Sequence, residues 1–97
     1  MPTYDAEARF WRDWDRLSAE QRALFLQAVR QIVEDLQARR PFRTSLRVKG
    51  FQGYKGMFEM TWAPNGRALF KYGVSPRSTD THITWLRIGT HDIFQNP

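Results

Sequence analysis

The sequence contains no cysteine and only two histidines, which excludes several kinds of chemistry. Without cysteine there are no disulfide bonds, no thiolate metal ligands and no cysteine nucleophile. The Gly-x-Ser-x-Gly pattern that carries the nucleophile of α/β-hydrolases is also absent. His82 and His91, with Asp80 and Asp92 beside them, follow no metal-ligand spacing such as His-x-x-x-His. We therefore expect neither a metal ion nor a cofactor.

Long apolar runs are lacking as well. No stretch approaches the roughly 18 residues of a membrane-spanning helix, and the N-terminal segment has no signal-peptide pattern. Hydrophobic residues nevertheless make up 41% of the 97 residues, which is enough for a globular fold. These features predict a single domain over residues 1–97 of a cytoplasmic protein that does not contact a membrane.

Acidic residues are scarce in the second half of the chain. Residues 1–40 carry seven arginines and seven acidic residues, so their charges cancel. Residues 41–97 carry eight lysines or arginines against Glu59, Asp80 and Asp92, so this half accounts for the whole net charge of +5. Such a local excess predicts a polyanionic partner, either a nucleic acid or an acidic protein.

The N-terminal half has the spacing of two helices. Apolar residues recur at helical spacing at Phe10, Trp14 and Leu17. Ser18 and Gln21 form the pattern of a capping box that opens a second helix. This helix is predicted to run to about Arg39 and to end before Pro41. The short break between the helices predicts an antiparallel helical hairpin.

From Phe42 onward apolar and polar residues alternate, which predicts a strand over 42–49 and, after a glycine-spaced loop, a hairpin over 57–73. Pro64-Asn65-Gly66 predicts a three-residue loop closed by a left-handed glycine, a register that pairs Glu59 with Lys71. A last strand over 81–89 is bulky enough to be central. We predict an α+β fold in which the helices cover one face of a twisted antiparallel sheet of about four strands. The other face is predicted to be polar and basic.

Three side chains on or near that second face combine into a possible catalytic set. Glu59 is a carboxylate among cations, and a lone carboxylate of this kind can act as a general base. Arg67 carries a planar fork that fits a phosphate. His91 follows the last strand, and a histidine side chain, whose ordinary pKa is ~6.5, can transfer a proton at neutral pH. A base, a cation and an acid are what cleavage of RNA by its own 2′-hydroxyl requires. The alternatives are a structural Glu59–Lys71 ion pair and a local surface role for His91.

Three aromatic residues lie outside the predicted helices and strands. They are Phe51, Tyr54 and Phe94. Aromatic rings in such positions either stack on nucleic-acid bases or pack locally.

The order of several segments resembles the RelE/ParE superfamily of bacterial type II toxins over roughly residues 8–94. The segments are FWRDWDRLS, FLQAVRQIVEDL, FRTSLRVKGFQGYKGMFEMTW, GRALFKY and RIGTHDIF. The resemblance implies two helices followed by a twisted antiparallel sheet. It also implies a toxin that is silenced by an antitoxin, and RelE-like members cut mRNA in the ribosomal A site.

The resemblance also implies roles for individual residues. GRALFKY is similar to the strand that carries the phosphate-binding arginine, which implies Arg67. MFEM and GTHDIF imply Glu59 as the base and His91 as the general acid, and Phe94 takes the place of an aromatic residue that packs on the substrate base. Further predicted RNA contacts are Lys49, Lys55, Lys71 and Arg87.

Two features depart from the family pattern. Family members open with a β-strand, whereas residues 2–9 have a mostly helical pattern that leaves a short strand or none. Thr61 stands where some RelE-type toxins have a second basic residue, a charge that Lys49 or Lys55 would supply.

The function predicted from these features is that of a ribosome-dependent, metal-independent endoribonuclease. Its partners would be the ribosome, mRNA and an acidic antitoxin protein. The alternatives are a ParE-like poison of DNA gyrase and a non-catalytic basic RNA-binding module.

Overall fold

The computed structural model describes residues 2–74 and 80–97, which form a five-stranded sheet with two helices on one face. The strands are β1 (Thr3–Ala6), β2 (Lys49–Gly50), β3 (Met57–Ala63), β4 (Gly66–Gly73) and β5 (His82–Thr90). The helices are α1 (Ala8–Asp15), α2 (Ala19–Gln37) and two short 3₁₀ helices at Thr44–Leu46 and His91–Gln95. The predicted α+β class, with two helices packed on a sheet, is confirmed, although β1 precedes the two helices in the chain.

The strand order is β1-β5-β4-β3-β2, and every neighbouring pair is antiparallel except β1 with β5. β5 therefore has a neighbour on each side, as its bulky sequence predicted. The first strand is present but only four residues long. Its parallel pairing with β5 departs from the predicted antiparallel sheet. It is tied to β5 by hydrogen bonds at both ends, from Thr3 N to Thr81 O (2.9 Å) and from Glu7 N to Trp85 O (3.0 Å).

The capping box that was predicted for α2 is confirmed. The Ser18 hydroxyl accepts a hydrogen bond from Gln21 N at 3.1 Å, and the Gln21 side chain accepts one from Ser18 N at 2.9 Å. Together they satisfy two of the amide groups that a helix start leaves unpaired. Phe25 of α2 is buried and lies 5.9 Å, between ring centroids, from Phe10 of α1. An aromatic contact thus joins the two consecutive helices above the sheet.

The strand predicted over 42–49 is almost entirely wrong, because only Lys49–Gly50 pairs with a neighbouring strand. The Asp35 carboxylate of α2 accepts a hydrogen bond from the backbone N of Arg43 at 2.9 Å. This contact draws the start of the segment to the helix and away from the sheet. Arg47 then adopts the left-handed conformation with φ of 48°, which interrupts an extended chain.

The predicted hairpin exists, but its register is shifted by two residues. Glu59 pairs with Leu69 instead of Lys71, and the loop contains only Pro64 and Asn65. The extra residue is Trp62, a bulge between Thr61 and Ala63. A shift of two preserves which face each side chain occupies, so the predicted alternation survives the wrong register.

Gly66 does not have the left-handed conformation that was predicted for it, since its φ is not positive. Its role is to lie under an indole ring: a Cβ atom at this position would come within 2.5 Å of Trp62. The Trp62 Nε1 group donates a hydrogen bond to Arg67 O at 2.9 Å. The bulge and the glycine together hold the hairpin end in place.

The main core lies between the helices and the sheet. Its largest fully buried apolar residues are Phe70, Ile32, Met60 and Ile88. The opposite face is less polar than predicted, because Leu69, Leu86 and Ile93 are buried there. This second apolar cluster packs the C-terminal 3₁₀ helix onto the sheet and so positions the residues of that helix.

Candidate active site

An open groove of about 490 Å³ collects most of the residues singled out in the sequence. Its lining residues are Thr44, Arg47, Val48, Lys49, Glu59, Thr61, Arg67, His91 and Phe94. Three separate parts of the chain contribute: the segment before β2, the β3–β4 hairpin and the C-terminal 3₁₀ helix. Pockets of this size, ~300–1,000 Å³, are typical of small-ligand sites, so the groove can hold a part of a larger substrate.

Glu59 lies in the middle of β3 with its side chain only 15% exposed. Its carboxylate oxygen is 3.6 Å from Nζ of Lys49 on the neighbouring strand, and the lysine side chain is 70% exposed. The predicted partner Lys71 is not its partner. A shielded carboxylate beside an exposed cation can accept a proton while the cation contacts an anionic substrate.

Arg67 is held by the backbone of the hairpin turn. Its Nη1 group donates hydrogen bonds to the carbonyl oxygens of Gly66 (2.9 Å), Pro64 (3.2 Å) and Ala63 (3.3 Å). Among the described residues, nothing accepts a hydrogen bond from its Nε or Nη2 group. The guanidinium therefore has a fixed orientation and donors left over for a phosphate.

His91 is the first residue of the C-terminal 3₁₀ helix and is exposed to solvent. Its ring centroid lies 4.8 Å from that of Phe94, whose ring lies 4.9 Å from Phe51. The Thr90 hydroxyl accepts a hydrogen bond from Asp92 N at 3.4 Å, and neither residue forms a hydrogen bond with the imidazole. Within the described part of the chain, the ring contact with Phe94 is what orients the histidine.

Gly89 lies inside β5 and allows another element to approach the strand closely. A Cβ atom there would come within 2.8 Å of the Ile93 side chain. The missing side chain lets the C-terminal 3₁₀ helix pack closely on the strand. This packing carries His91 and Phe94 toward the groove.

Arg47 is a groove residue that the sequence analysis missed. It follows the first 3₁₀ helix, and its left-handed backbone conformation turns the chain toward β2. The segment is anchored by Asp35, which accepts hydrogen bonds from Arg40 Nε (2.7 Å) and from Arg43 Nη2 (3.0 Å) and Nε (3.1 Å). The hydrogen bonds from Arg43 hold the pKa of the buried Asp35 carboxyl well below its usual value. The only sequence feature that pointed to Arg47 was its position two residues before Lys49, which places two cations close together in the chain.

Three of the predicted RNA contacts lie outside the groove. Lys55 is exposed in the turn before β3, and Lys71 points to Glu7 with 4.0 Å between Nζ and Oε2. Arg87 forms an ion pair with Asp13 of α1, at 2.6 Å between Nε and Oδ2, and both side chains are largely buried. This arginine is therefore engaged with α1 outside the groove.

Two of the three loop or terminal aromatics serve packing. Phe51 and Phe94 both pack against the second apolar cluster, while Tyr54 is 47% exposed. Among the residues described, no group of three histidine, aspartate or glutamate side chains could hold a metal ion.

His82 takes no part in the groove. It is buried, and its Nδ1 lies 2.7 Å from the Thr3 hydroxyl while its Nε2 lies 3.1 Å from an Asp5 carboxylate oxygen. Thr84 donates a further hydrogen bond to the same oxygen at 2.7 Å, which lowers the pKa of Asp5. These side chains fasten β1 to β5.

Solved structures share this architecture over nearly the whole chain. The TM-score is 0.64 with a chain of the Escherichia coli DinJ–YafQ toxin–antitoxin complex, at 18% identity over 95% of this chain and 94% of that one. Uncomplexed YafQ from E. coli gives 0.62, at 17% identity over 96% and 97% of the two chains. The RelB–RelE antitoxin–toxin complex from Methanococcus jannaschii gives 0.57, at 15% identity over 94% of both chains.

The chain has the RelE-like toxin fold. The resemblance predicted from the order of the sequence segments is thus confirmed at the level of the fold. No protein-family model and no curated protein matches the sequence. In the described part of this RelE-like chain, the helices are too short or too polar to cross a membrane.

Proposed function

We propose that this RelE-like chain is the toxin of a type II toxin–antitoxin pair and cleaves mRNA on the ribosome without a metal ion. The observation that carries the proposal is the groove lined by Glu59, Arg67 and His91 together. A carboxylate, a guanidinium with free donors and an exposed imidazole are the three groups that metal-independent cleavage of RNA requires.

The proposed reaction starts when Glu59 removes the proton from a 2′-hydroxyl of the RNA. The resulting oxygen attacks the adjacent phosphorus, and Arg67 stabilises the negative charge that builds up on the phosphoryl oxygens. His91 in its protonated form gives its proton to the departing 5′-oxygen. The products are a 2′,3′-cyclic phosphate and a new 5′-hydroxyl, and no other reactant is consumed.

Substrate binding in this proposal uses the cations and the aromatic ring at the rim of the groove. Lys49 is 70% exposed, and Arg47 lines the same groove, so both are available to RNA phosphates. Phe94 lies beside His91 and offers a ring on which a base can stack. Lys49 and Arg47 supply positive charge in a site where Thr61 is neutral.

The proposed protein partner is an antitoxin with an acidic segment. Complexes of the RelE-fold neighbours with DinJ and RelB support an antitoxin as partner, and the net charge of +5 in residues 41–97 favours an acidic contact. We expect binding to cover the Glu59–Arg67 face or to displace the C-terminal 3₁₀ helix. Hydrogen-exchange mapping of the complex tests this, and protection confined to the exposed side of α1 would contradict direct occlusion.

The decisive experiment is single-turnover cleavage of mRNA on programmed ribosomes by the purified protein. We expect His91→Gln and Glu59→Gln to bind ribosomes normally and to cleave about 10²–10⁴-fold more slowly, because each loses a positioned proton-transfer group. His82→Gln is the matched control, since that histidine lies outside the groove. Equal cleavage by the wild type and His91→Gln would refute the assigned proton donor.

Expression of the chain with its antitoxin withheld separates the remaining functions. Arrest of protein synthesis supports the proposal. DNA damage instead indicates a ParE-like poison of gyrase, and growth without any toxicity indicates a non-catalytic RNA-binding module.

A further inference from the structure

A buried ion pair links α1 to β5 outside the groove that Glu59, Arg67 and His91 line. Arg87 donates two parallel hydrogen bonds to the Asp13 carboxylate, from Nε at 2.6 Å and from Nη2 at 3.1 Å. The same carboxylate accepts from Ile88 N at 3.1 Å. The side chains are 13% and 8% exposed, respectively. A planar fork that is matched in this way to a carboxylate has a defined position and little freedom to turn toward RNA.

The third nitrogen of the Arg87 guanidinium contacts the C-terminal residues. Its Nη1 group donates to the carbonyl oxygen of Asn96. Arg9 of α1 donates to the same carbonyl from Nη2 at 2.9 Å and to the Pro97 carbonyl from Nη1 at 3.1 Å. Two cationic donors, one on α1 and one on β5, thus converge on one backbone oxygen.

The segment held between β5 and Asn96 is the 3₁₀ helix that carries His91 and Phe94. One end is fixed by the Thr90 cap, and the middle is fixed by Ile93, which is buried against the sheet. A 3₁₀ helix of five residues has poor hydrogen-bond geometry and is marginal without outside support. Its far end has that support only through Arg87 and Arg9, among the contacts of the described residues.

We propose that Arg87 is a positioning residue: it holds the C-terminal end of the 3₁₀ helix through the Asn96 carbonyl and thereby fixes His91 and Phe94 in the groove. The inference rests on the proposed function for its kinetic consequence. It differs from the contact with RNA that the sequence predicts for Arg87, because this arginine does not line the groove of Glu59, Arg67 and His91. A displaced proton donor slows the chemical step, whereas a lost RNA contact weakens binding.

Arg87→Lys is the variant that tests the simultaneous contact of Arg87 with Asp13 and Asn96. Lysine keeps a positive charge next to Asp13, so a carboxylate is not left buried and unpaired. A single ammonium cannot replace a fork that holds Asp13 and Asn96 at the same time. Arg9→Gln removes the guanidinium by which α1 donates hydrogen bonds to the Asn96 and Pro97 carbonyls. Arg12→Lys is the control, because the Arg12 side chain makes none of the hydrogen bonds or ion pairs of the described residues.

Single-turnover cleavage is measured over a range of ribosome concentrations. We expect Arg87→Lys to lower the maximal rate about tenfold to a hundredfold, since small misplacements of a catalytic group have effects of that order. The concentration at half-saturation should stay within about twofold of wild type, and Arg12→Lys should match wild type in both. A wild-type maximal rate, or weaker binding at an unchanged maximal rate, would overturn the proposal.

Nuclear magnetic resonance of the free protein tests the positioning without reference to activity. The His91 ring protons feel the ring current of Phe94, whose centroid is 4.8 Å away. In Arg87→Lys and Arg9→Gln we expect these signals to move toward the values of an unstructured histidine, while core signals keep their positions. Unchanged His91 signals would overturn the inference even if the wild type proved unable to cleave RNA. If Arg87→Lys failed to fold, Arg9→Gln would decide the question by the same two measurements.

Discussion

Replacing Gly66 with alanine inserts a methyl group under the indole ring of Trp62. The new Cβ would lie 2.5, 2.6 and 2.8 Å from three carbon atoms of that ring, whereas carbon atoms in contact prefer about 3.5–4.0 Å. Trp62 must therefore retreat by roughly 1 Å. It is only 8% exposed and packed in the main core, so the movement strains its neighbours.

The destabilisation has two parts. Overpacking of a core costs about 1–3 kcal/mol, and loss of the Trp62 Nε1 hydrogen bond to Arg67 O costs about 1 kcal/mol. The sum, about 2–4 kcal/mol, corresponds to a fall in Tm of about 10–20 °C for a domain of this size. Thermal unfolding followed by circular dichroism and by tryptophan fluorescence measures it.

Two further variants test the reason for the effect. Gly50→Ala is a matched control, because no heavy atom lies within 4 Å of a Cβ there and we expect a Tm near wild type. Gly66→Asn distinguishes steric contact from backbone strain: asparagine tolerates the left-handed conformation well, so it would be milder than alanine only if strain were the cause. A Tm for Gly66→Ala within about 2 °C of wild type, or a milder effect of asparagine, would refute the reasoning.

Three other substitutions have expected outcomes. Arg67→Ala should slow cleavage about 10²–10³-fold with little change in Tm, because its guanidinium donates, within the described part of the chain, only to backbone carbonyls at the turn; a large fall in Tm would make Arg67 structural. Asp35→Asn should lower the free energy of unfolding at neutral pH. In acid, the free energy of unfolding of this variant should fall less steeply than that of wild type. Hydrogen bonds from Arg43 hold the pKa of Asp35 in the folded state below its unfolded value of ~3.9. The ionised carboxylate therefore stabilises the fold fully above the unfolded pKa, and this stabilisation is lost as the pH falls below it. Urea midpoints between about pH 2 and 7 measure this, and parallel curves for variant and wild type would contradict it. His82→Gln should lower Tm, since it disturbs the contacts of Thr3 and Asp5, while the folded variant cleaves at the wild-type rate; reduced cleavage at full folding would place His82 in the mechanism.

Local interactions made several features predictable from the sequence. The capping box of Ser18 and Gln21 needs only residues three apart, and the structure contains it. The alternation along β3 and β4 follows from the pleat of a strand, so the face that carries Glu59 and Arg67 could be read without knowing the pairing. The position of His91 after a central strand followed from the bulk of β5. These features depend on residues close together in the chain, and any fold that contains the strands preserves them.

Contacts between distant residues decided the rest. Asp35 accepts a hydrogen bond from the backbone N of Arg43, and a 3₁₀ helix forms where a strand was predicted. Trp62 forms a bulge and packs over Gly66, which shifts the hairpin register. No pattern in RIGTHDIF states that Arg87 faces Asp13, 74 positions earlier in the chain. The charge excess of residues 41–97 predicted cations for a substrate, but only the folded chain separates those that line the groove from the one buried against α1. Composition limits how many charges are available, and the burial of each side chain, set by packing, decides which of them remain free to bind.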